Sequence, residues 1–290
     1  MLLRGLYPPL VTPFDADDRV DLDAVETLGA GLLDDGAAGL VALGSTAEPF
    51  ALSGAESAAV VDTIARVCAD RGAQLIVGAG AVDTRATIDR HEALAEVPGV
   101  TASLAVVPYY MRPGEAAVVA HFEAVAARSP VPVLLYNVPY RTGTSLGADA
   151  LLAIAAIDGV AGMKQSPGGI DEATMRLMAE RPADFAVLCG DDAFILPMLA
   201  LGGAGAIAAS SHFATDRFAQ LVRDAGRADA EALLALALAL FAEPNPAVLK
   251  GLLHHQGRIA TPDVRMPMAA ASAGAVDRAA RALEAISLLV

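Results

Sequence analysis

Lysine is almost absent from this chain. Of its 20 basic residues only two, Lys164 and Lys250, are lysines, and the other 18 are arginines. Arginine stays protonated in proteins, whereas a lysine in apolar surroundings can lose its proton and attack a carbonyl as a free amine. Lys164 ends the apolar run Val160–Met163. In an ordinary chain a strand-end lysine that reaches solvent would be the preferred explanation, but the scarcity of lysine here reverses that preference and favours an enzyme that forms a Schiff base.

Tryptophan is absent, aromatic residues make up 4% of the chain, and charged residues only 19%. The hydrophobic content of 55% excludes a disordered protein. The net charge of −14 argues against nucleic acid or an anionic membrane as a partner. Two cysteines, Cys68 and Cys189, cannot form a disulfide framework and suit a reducing compartment. Since the longest apolar stretch, 233–242, is too short to span a bilayer and no signal-peptide core is evident, we expect a cytoplasmic protein.

Short aliphatic runs alternate with longer segments of helical periodicity. The helical spacing is clearest at 22–35 and 115–128. The predicted strands are 5–14, 39–43, 74–78, 101–107, 131–137, 160–164, 186–190 and 205–210. Eight strand–helix units in a row predict a (β/α)₈ TIM barrel. A doubly wound open sheet would instead need a glycine-rich loop after the first strand, and the segment 8–13 is proline-rich.

The pattern becomes wholly helical beyond about residue 216 and is rich in alanine and leucine. This tail is too long for a single closing helix. We therefore predict a barrel over residues 1–226 and a C-terminal helical domain over residues 227–290.

Catalytic groups of such barrels come from the carboxyl ends of the strands. Here those ends carry Ser45 and Thr46, Tyr136, and Lys164. The two hydroxyls either cap a helix or hold a substrate carboxylate. Tyr136 is either a core tyrosine or a proton shuttle next to the lysine. Arg141, in the turn after Tyr136, is either solvated or a bidentate carboxylate ligand.

Two acidic residues follow the seventh strand. Asp191 and Asp192 either cap a helix or face the site, and they argue against a phosphorylated substrate. The five histidines and two cysteines show no metal-ligand spacing, and no Walker loop or G-x-S-x-G elbow occurs. No metal or cofactor is therefore expected.

Taken together, the motifs resemble those of the dihydrodipicolinate synthase/N-acetylneuraminate lyase family over essentially the whole chain. The matching segments are 44–48, 108–110, 136–139, 141–143, 162–164, 190–192, 243–246 and 265–268. The resemblance implies a metal-independent class I aldolase, usually a homotetramer built as a dimer of dimers, acting on small molecules. Arg141 places the chain nearest the dihydrodipicolinate synthase branch, where such an arginine binds the carboxylate of aspartate semialdehyde.

The same resemblance assigns roles to individual residues. Lys164 would form the Schiff base with pyruvate, and Tyr136 would relay protons with Thr46 and with a Tyr110 contributed by the neighbouring subunit. Ser45 and Thr46 would hold the pyruvate carboxylate. Gly190 and Ile207 would supply backbone carbonyl contacts around the lysine and the substrate.

The chain departs from the family pattern at several points near the predicted site. Ala47 stands where the family has glycine; if that position needs a positive φ, alanine costs about 1 kcal/mol. Pro49 and Phe50 add bulk, and Gln165 replaces a carboxylate beside the lysine. We also expect no feedback inhibition by lysine, because the corresponding positions lack polar ligands. Those positions are Pro49, Phe50, Gly54, Ser57 and Val82.

The leading hypothesis is therefore a synthase that condenses pyruvate with aspartate semialdehyde in lysine biosynthesis. A second hypothesis keeps the Schiff base but has an aldolase or dehydratase act on a 2-keto-3-deoxy sugar acid or a 4-hydroxy-2-oxo acid. A third, a catalytically silent barrel that only binds a ligand, would predict loss of the lysine or the tyrosine, and both are present.

Overall fold

Eight parallel strands form the centre of the computed structural model, which describes residues 3–288. The strands are β1 (Gly5–Leu6), β2 (Gly39–Ala42), β3 (Gln74–Gly78), β4 (Val100–Val106), β5 (Val133–Asn137), β6 (Val160–Gln165), β7 (Ala186–Cys189) and β8 (Gly205–Ala206). From β2 to β8 each strand pairs with the next, and β8 pairs with β1. A parallel bridge between Pro9 and Val41 joins the segment after β1 to β2 and closes the circle. The predicted (β/α)₈ TIM barrel is confirmed.

Helices follow the strands on the outside of the barrel. They are α1 (Leu22–Asp34), α2 (Gly54–Asp70), α3 (Thr84–Glu92), α4 (Glu115–Ala126), α5 (Pro139–Thr142), α6 (Ala148–Ala155), α7 (Glu172–Glu180), α8 (Ile195–Ala200), α9 (Thr215–Asp224), α10 (Arg227–Leu240), α11 (Ala247–His255) and α12 (Ala273–Ser287). Several begin at a side-chain cap that the sequence encodes. Asp21, Asp83 and Asp171 each accept a backbone N–H of the first turn, and Ser53 forms a capping box with Glu56.

The predicted strands from the second to the seventh are confirmed to within two residues. The first and the last were predicted too long. β1 ends at Leu6 because Pro8 and Pro9 lack the N–H that continued pairing requires, although the extended chain still bonds to β2 through the Leu10 N–H and the Val41 carbonyl. After β8 the backbone turns into a short 3₁₀ segment at Ala209–His212, which lifts the serines there out of the sheet.

Alternate residues along the strands fill the barrel interior. Val41, Ile76, Leu104, Leu134 and Leu188 belong to one buried cluster, which also contains Tyr136 and Ile207. The intervening residues face the helices and join two other clusters. Because side chains alternate along a strand, this pattern leaves Tyr136 on the inward face, at the top of the interior stack.

The C-terminal helices pack directly on the barrel. α10 and α11 both contribute leucines to the cluster that contains Val187 and Ala206 of the strands, and α12 packs against both helices. The predicted division at 226/227 falls between α9 and α10 and remains a prediction. Over residues 3–288, the helices are all too short or too polar to cross a bilayer.

One buried histidine joins the segments that follow β8 and β1, and it gives a pH prediction. His212 is 1% exposed; its Nε2 accepts the Val11 N–H and its Nδ1 faces the Ala209 carbonyl. A neutral ring with its hydrogen on Nδ1 satisfies both contacts, whereas a protonated ring would oppose a donor to the Val11 N–H. Burial lowers the pKa of His212 from 6.5 to about 4.

Since the folded state excludes a proton that the unfolded chain accepts, His212 contributes full stability above about pH 6.5. That contribution should be lost as the pH falls towards 4, by up to about 1.4 kcal/mol per pH unit. In chemical unfolding at pH 7, 6, 5 and 4.5, His212→Gln should therefore show a shallower pH dependence than the wild type. His255→Gln is the matched control, because His255 is exposed. Equal slopes for both variants would contradict the assignment.

Candidate active site

Lys164 lies on β6 with its side chain almost fully inside the protein. It is 8% exposed, pairs in register with Tyr136 of β5, and places its Nζ 4.5 Å from the centre of the Tyr136 ring. Burial lowers the pKa of the Lys164 amine, and the nearby Asp192 carboxylate opposes that fall. Within the described residues no carboxylate comes within 4.0 Å of Nζ. The amine is therefore held in surroundings that favour its neutral, nucleophilic form.

Tyr136 presents its aromatic ring to this amine. Burial raises the pKa of its phenol, and the Arg141 cation opposes the rise. The hydroxyl groups of Ser45 and Ser166 lie near the phenol and also act against the rise in its pKa. Tyr136 thus keeps its proton near neutral pH while lying among groups through which that proton can move.

The hydroxyl-bearing loop after β2 is a tight 3₁₀ turn over Ser45–Ala47. Ser45 and Thr46 lie in this turn, and Thr46 is 4% exposed. Ala47 does not carry the strain that a positive φ would impose on an alanine. The left-handed residue of this loop is Glu48, with φ 55° and ψ 43°. The Ala47 carbonyl instead accepts a hydrogen bond of 2.8 Å from the Thr12 hydroxyl, which fixes the turn against the segment after β1.

Gly190 follows β7 and lies directly against the lysine. A Cβ at this position would come within 2.0 Å of the Ser166 Oγ and within 2.5 Å of the Lys164 Cε. Only glycine leaves room for the lysine side chain to pass over the backbone here. Its N–H donates to the Gln165 carbonyl, which ties the ends of β6 and β7 together.

Asp191 and Asp192 do not act as helix caps. Asp192 is buried, accepts the Ser210 N–H through Oδ2 at 2.6 Å, and leaves its Oδ1 without a hydrogen-bond partner among the described residues. Burial raises the pKa of Asp192 to about 6. Asp191 accepts the Gly168 N–H at 2.7 Å. Both carboxylates therefore contribute negative potential near Lys164, as their effect on its pKa shows.

Most of the residues predicted for the site line one cavity. They are Ser45, Thr46, Tyr136, Arg141, Lys164, Gly190 and Ile207. Tyr140, Asp192, Ala209, Phe241 and Asn245 complete its wall. Tyr110 is the exception: it is 84% exposed, has φ 69°, and does not reach the cavity of its own chain.

Gln165 faces away from the amine, contrary to the expectation that it alters the lysine's immediate surroundings. Its Oε1 accepts from the Asn137 amide and its Nε2 donates to the Thr174 hydroxyl, each at 2.9 Å. Adjacent strand residues point to opposite faces, so the side chain of Gln165 joins the helix layer while Lys164 points inward.

Several contributors to the site were not predicted from the sequence. Ser166 is fully buried with no hydrogen-bond partner for its Oγ within the described part of the chain, and Asn245 and Phe241 come from the helical extension. The alternation along β6 could have identified Ser166, because it lies two residues after Lys164 and so on the same face. Asn245 lies in the family-like segment 243–246, but its place in the site was not predicted, because it lies 199 residues from Thr46, the residue that it contacts.

The described residues offer no ligand set for a metal ion. Among residues 3–288 the histidine, cysteine, aspartate and glutamate side chains form no group of three or more placed to bind an ion.

Comparison with known proteins agrees with this geometry. A family model described as "Dihydrodipicolinate synthetase family" matches residues 2–286. A relative from Moorella thermoacetica, named 4-hydroxy-tetrahydrodipicolinate synthase, is 37% identical over 97% of each chain. A dihydrodipicolinate synthase from Acinetobacter baumannii, solved in complex with pyruvate, superposes with a TM-score of 0.93 and is 30% identical over 98% of this chain and 99% of that one.

A second similar structure concerns assembly. It is described as the first monomeric dihydrodipicolinate synthase variant, with a TM-score of 0.91 and 28% identity over 99% of this chain and 97% of that chain.

Proposed function

This chain belongs to the dihydrodipicolinate synthetase family, and from that premise we propose that it condenses pyruvate with aspartate semialdehyde, as a 4-hydroxy-tetrahydrodipicolinate synthase. The observation that carries the proposal is the buried Lys164 amine beside the Tyr136 phenol, in one cavity with Ser45 and Thr46. The relatives bear this activity in their names, and a related structure holds pyruvate.

The first steps follow from the chemistry of an amine and a 2-oxo acid. The neutral Lys164 amine adds to the keto carbon of pyruvate, a C–N bond forms, and the carbonyl oxygen takes a proton to give a carbinolamine. Loss of that oxygen as water leaves an iminium ion. Removal of a methyl proton then gives an enamine, whose carbon attacks the aldehyde carbon of the second substrate. Tyr136 is placed to supply and recover the protons that these steps exchange.

The carboxylate of pyruvate needs hydrogen-bond donors while the amine attacks. The Ser45 hydroxyl and the backbone N–H groups of Ser45 and Thr46 would supply them on the side of the cavity formed by β2. Gly190 and Ile207 line the same cavity, and their carbonyls would contact the lysine and the substrate from the ends of β7 and β8.

Reductive trapping tests the Schiff base directly. After incubation with pyruvate and borohydride, the intact protein should gain the mass of one reduced pyruvyl group, and peptide mapping should place it on Lys164. Lys164→Arg should gain none, because an arginine does not provide a free amine. Lys250→Arg is unsuitable as a control, since Lys250 is fully buried; wild type without pyruvate serves instead. An adduct mapped elsewhere would refute the role of Lys164.

Arg141 is the proposed ligand for the carboxylate of the aldehyde substrate. It lies in α5 at the mouth of the cavity, exposed, with its Cζ 5.8 Å from the centre of the Tyr140 ring. Its guanidinium can pair with a carboxylate that enters from solvent.

Arg141→Ala should raise the KM for aspartate semialdehyde by about 10- to 100-fold, the value of a lost charge-assisted hydrogen bond. The KM for pyruvate should change little. Steady-state kinetics with each substrate varied in turn makes the comparison, and Arg85→Ala, which removes an exposed arginine of α3, is the control. Equal losses for both substrates would remove Arg141 from this role.

A second candidate function rests on Ser166. Its hydroxyl is buried without a partner within residues 3–288, next to Tyr136 and Lys164, and it could bind a hydroxyl of a longer substrate. An aldolase or dehydratase acting on a 2-keto-3-deoxy sugar acid or a 4-hydroxy-2-oxo acid would use it. Comparing turnover of pyruvate plus aspartate semialdehyde with turnover of such acids separates the two candidates.

We also propose a homotetramer in which Tyr110 completes the neighbour's site. The loop after β4 exposes Tyr110, Met111 and, partly, Tyr109, and it holds Tyr110 in a left-handed conformation that is costly for a tyrosine. A second copy that covers this loop would bury its apolar side chains. The left-handed backbone would then direct Tyr110 into the neighbour's site.

If this proposal is right, Tyr110→Phe should lower kcat by about 100-fold or more while leaving the unfolding midpoint almost unchanged. Mixing Tyr110→Phe with Lys164→Arg subunits should restore part of the activity, because one of the mixed sites has both residues intact. Activity that does not recover on mixing, at a confirmed tetrameric mass, would show that the site is not shared.

A further inference from the structure

The helical extension reaches into the proposed site through Asn245. This residue lies between α10 and α11, is 8% exposed, and donates from Nδ2 to the Thr46 Oγ1 at 2.9 Å. Because the Thr46 oxygen accepts this bond, the hydroxyl hydrogen of Thr46 remains available to be donated elsewhere. The hydrogen bond therefore sets the direction in which Thr46 can pass a proton.

The same loop is held a second time, two residues further on, by a buried ion pair. Lys250 of α11 and Glu48 are both fully buried, and their Nζ and Oε1 atoms are 2.9 Å apart. The Lys250 Nζ also lies 3.9 Å from the centre of the Phe14 ring. Glu48 has the left-handed backbone that ends the Ser45–Ala47 turn, so the ion pair fixes the residue on which the turn's geometry depends.

The other oxygen of Glu48 is bound by the segment between α11 and α12. Its Oε2 accepts the Arg265 N–H at 2.8 Å. The Arg265 guanidinium pairs with Asp18 and Glu56, and its Cζ lies 4.4 Å from the Phe14 ring centre. Both carboxylate oxygens of Glu48 are thus held by the C-terminal quarter of the chain.

Stability alone is a weak explanation for this arrangement. A buried ion pair loses the hydration of two charges, and replacing such a pair by well-packed apolar residues is often neutral or stabilising. What an ion pair adds is one defined geometry. Here that geometry belongs to the loop that carries Ser45 and Thr46.

We propose that Asn245 is a positioning residue which, with the Glu48–Lys250 ion pair, orients the Thr46 hydroxyl as a proton donor towards the Schiff-base intermediates. The inference rests on the proposed function, because it assumes that Thr46 takes part in the proton relay. It makes the helical extension a component of the catalytic apparatus.

The test uses a partial reaction that requires no aldehyde. Pyruvate bound as a Schiff base exchanges its methyl hydrogens with solvent through the enamine, and in D₂O the loss of the methyl proton signal reports that step. Four proteins are compared on the plateau of their pH profiles: wild type, Asn245→Asp, Thr46→Val and the double variant. Asn245→Asp keeps the shape of the side chain, but its carboxylate accepts the Thr46 hydroxyl hydrogen instead of donating to the oxygen.

We expect Asn245→Asp to slow exchange at least tenfold relative to the wild type, roughly the effect of one misdirected hydrogen bond, while the Lys164 adduct still forms. The double variant should be no slower than Thr46→Val alone, because Asn245 acts through that hydroxyl. Effects that multiply in the double variant, or a wild-type exchange rate in Asn245→Asp, would overturn the proposal. No exchange in the wild type would instead defeat the proposed function, and this inference with it.

The ion pair is tested by a matched pair of variants. The double substitution Glu48→Gln with Lys250→Met should lower the exchange rate per folded molecule severalfold, whatever it does to stability. Arg217→Met breaks the partly buried Arg217–Asp229 pair of α9 and α10, and should lower the unfolding midpoint without changing the exchange rate per folded molecule. If the Glu48 and Lys250 variant folds and exchanges at the wild-type rate, the ion pair has no positioning role; if it does not fold, Asn245→Asp decides the proposal alone.

Discussion

Burial of the Lys164 side chain is the constraint on which the site depends. The lysine passes over Gly190 at a distance that excludes even a methyl group, and its amine comes to lie above the Tyr136 ring. Burial lowers the pKa of the amine. The strand order makes this possible, since β5, β6 and β7 are neighbours and bring tyrosine, lysine and glycine to the same rim.

The remaining groups of the site are fixed by contacts distant in the sequence. Thr12 holds the Ala47 carbonyl, and Asn245 holds the Thr46 hydroxyl. Two distant parts of the chain thus contact the turn after β2: the segment after β1 and the helical extension. A (β/α)₈ barrel leaves its strand-end loops free to vary, and this chain restrains one of them with polar contacts from both directions.

Local patterns in the sequence were sufficient to predict the barrel. Strands buried on both faces appear as continuous aliphatic runs, and this signal located β2 to β7 to within two residues. The same reasoning failed at β1 and β8, where prolines and a 3₁₀ turn end the pairing. Most of the predicted site residues line one cavity because the carboxyl ends of parallel strands share one rim. The contact of Asn245 with Thr46 and the pairing of Glu48 with Lys250 could not be predicted, since no local pattern encodes a contact across about 200 residues.

The two lysines of the chain are both buried, and their surroundings explain why neither is an arginine. Lys250 has the Glu48 carboxylate at 2.9 Å, which opposes the fall in its pKa that burial causes, and the compact ammonium fits between that carboxylate and the Phe14 ring. Lys164 has a tyrosine ring as its close neighbour and only more distant carboxylates. A paired lysine of this kind supports structure, whereas an unpaired one is disposed to lose its proton. An otherwise arginine-only chain therefore keeps lysine at one site for its size and at the other for its reactivity.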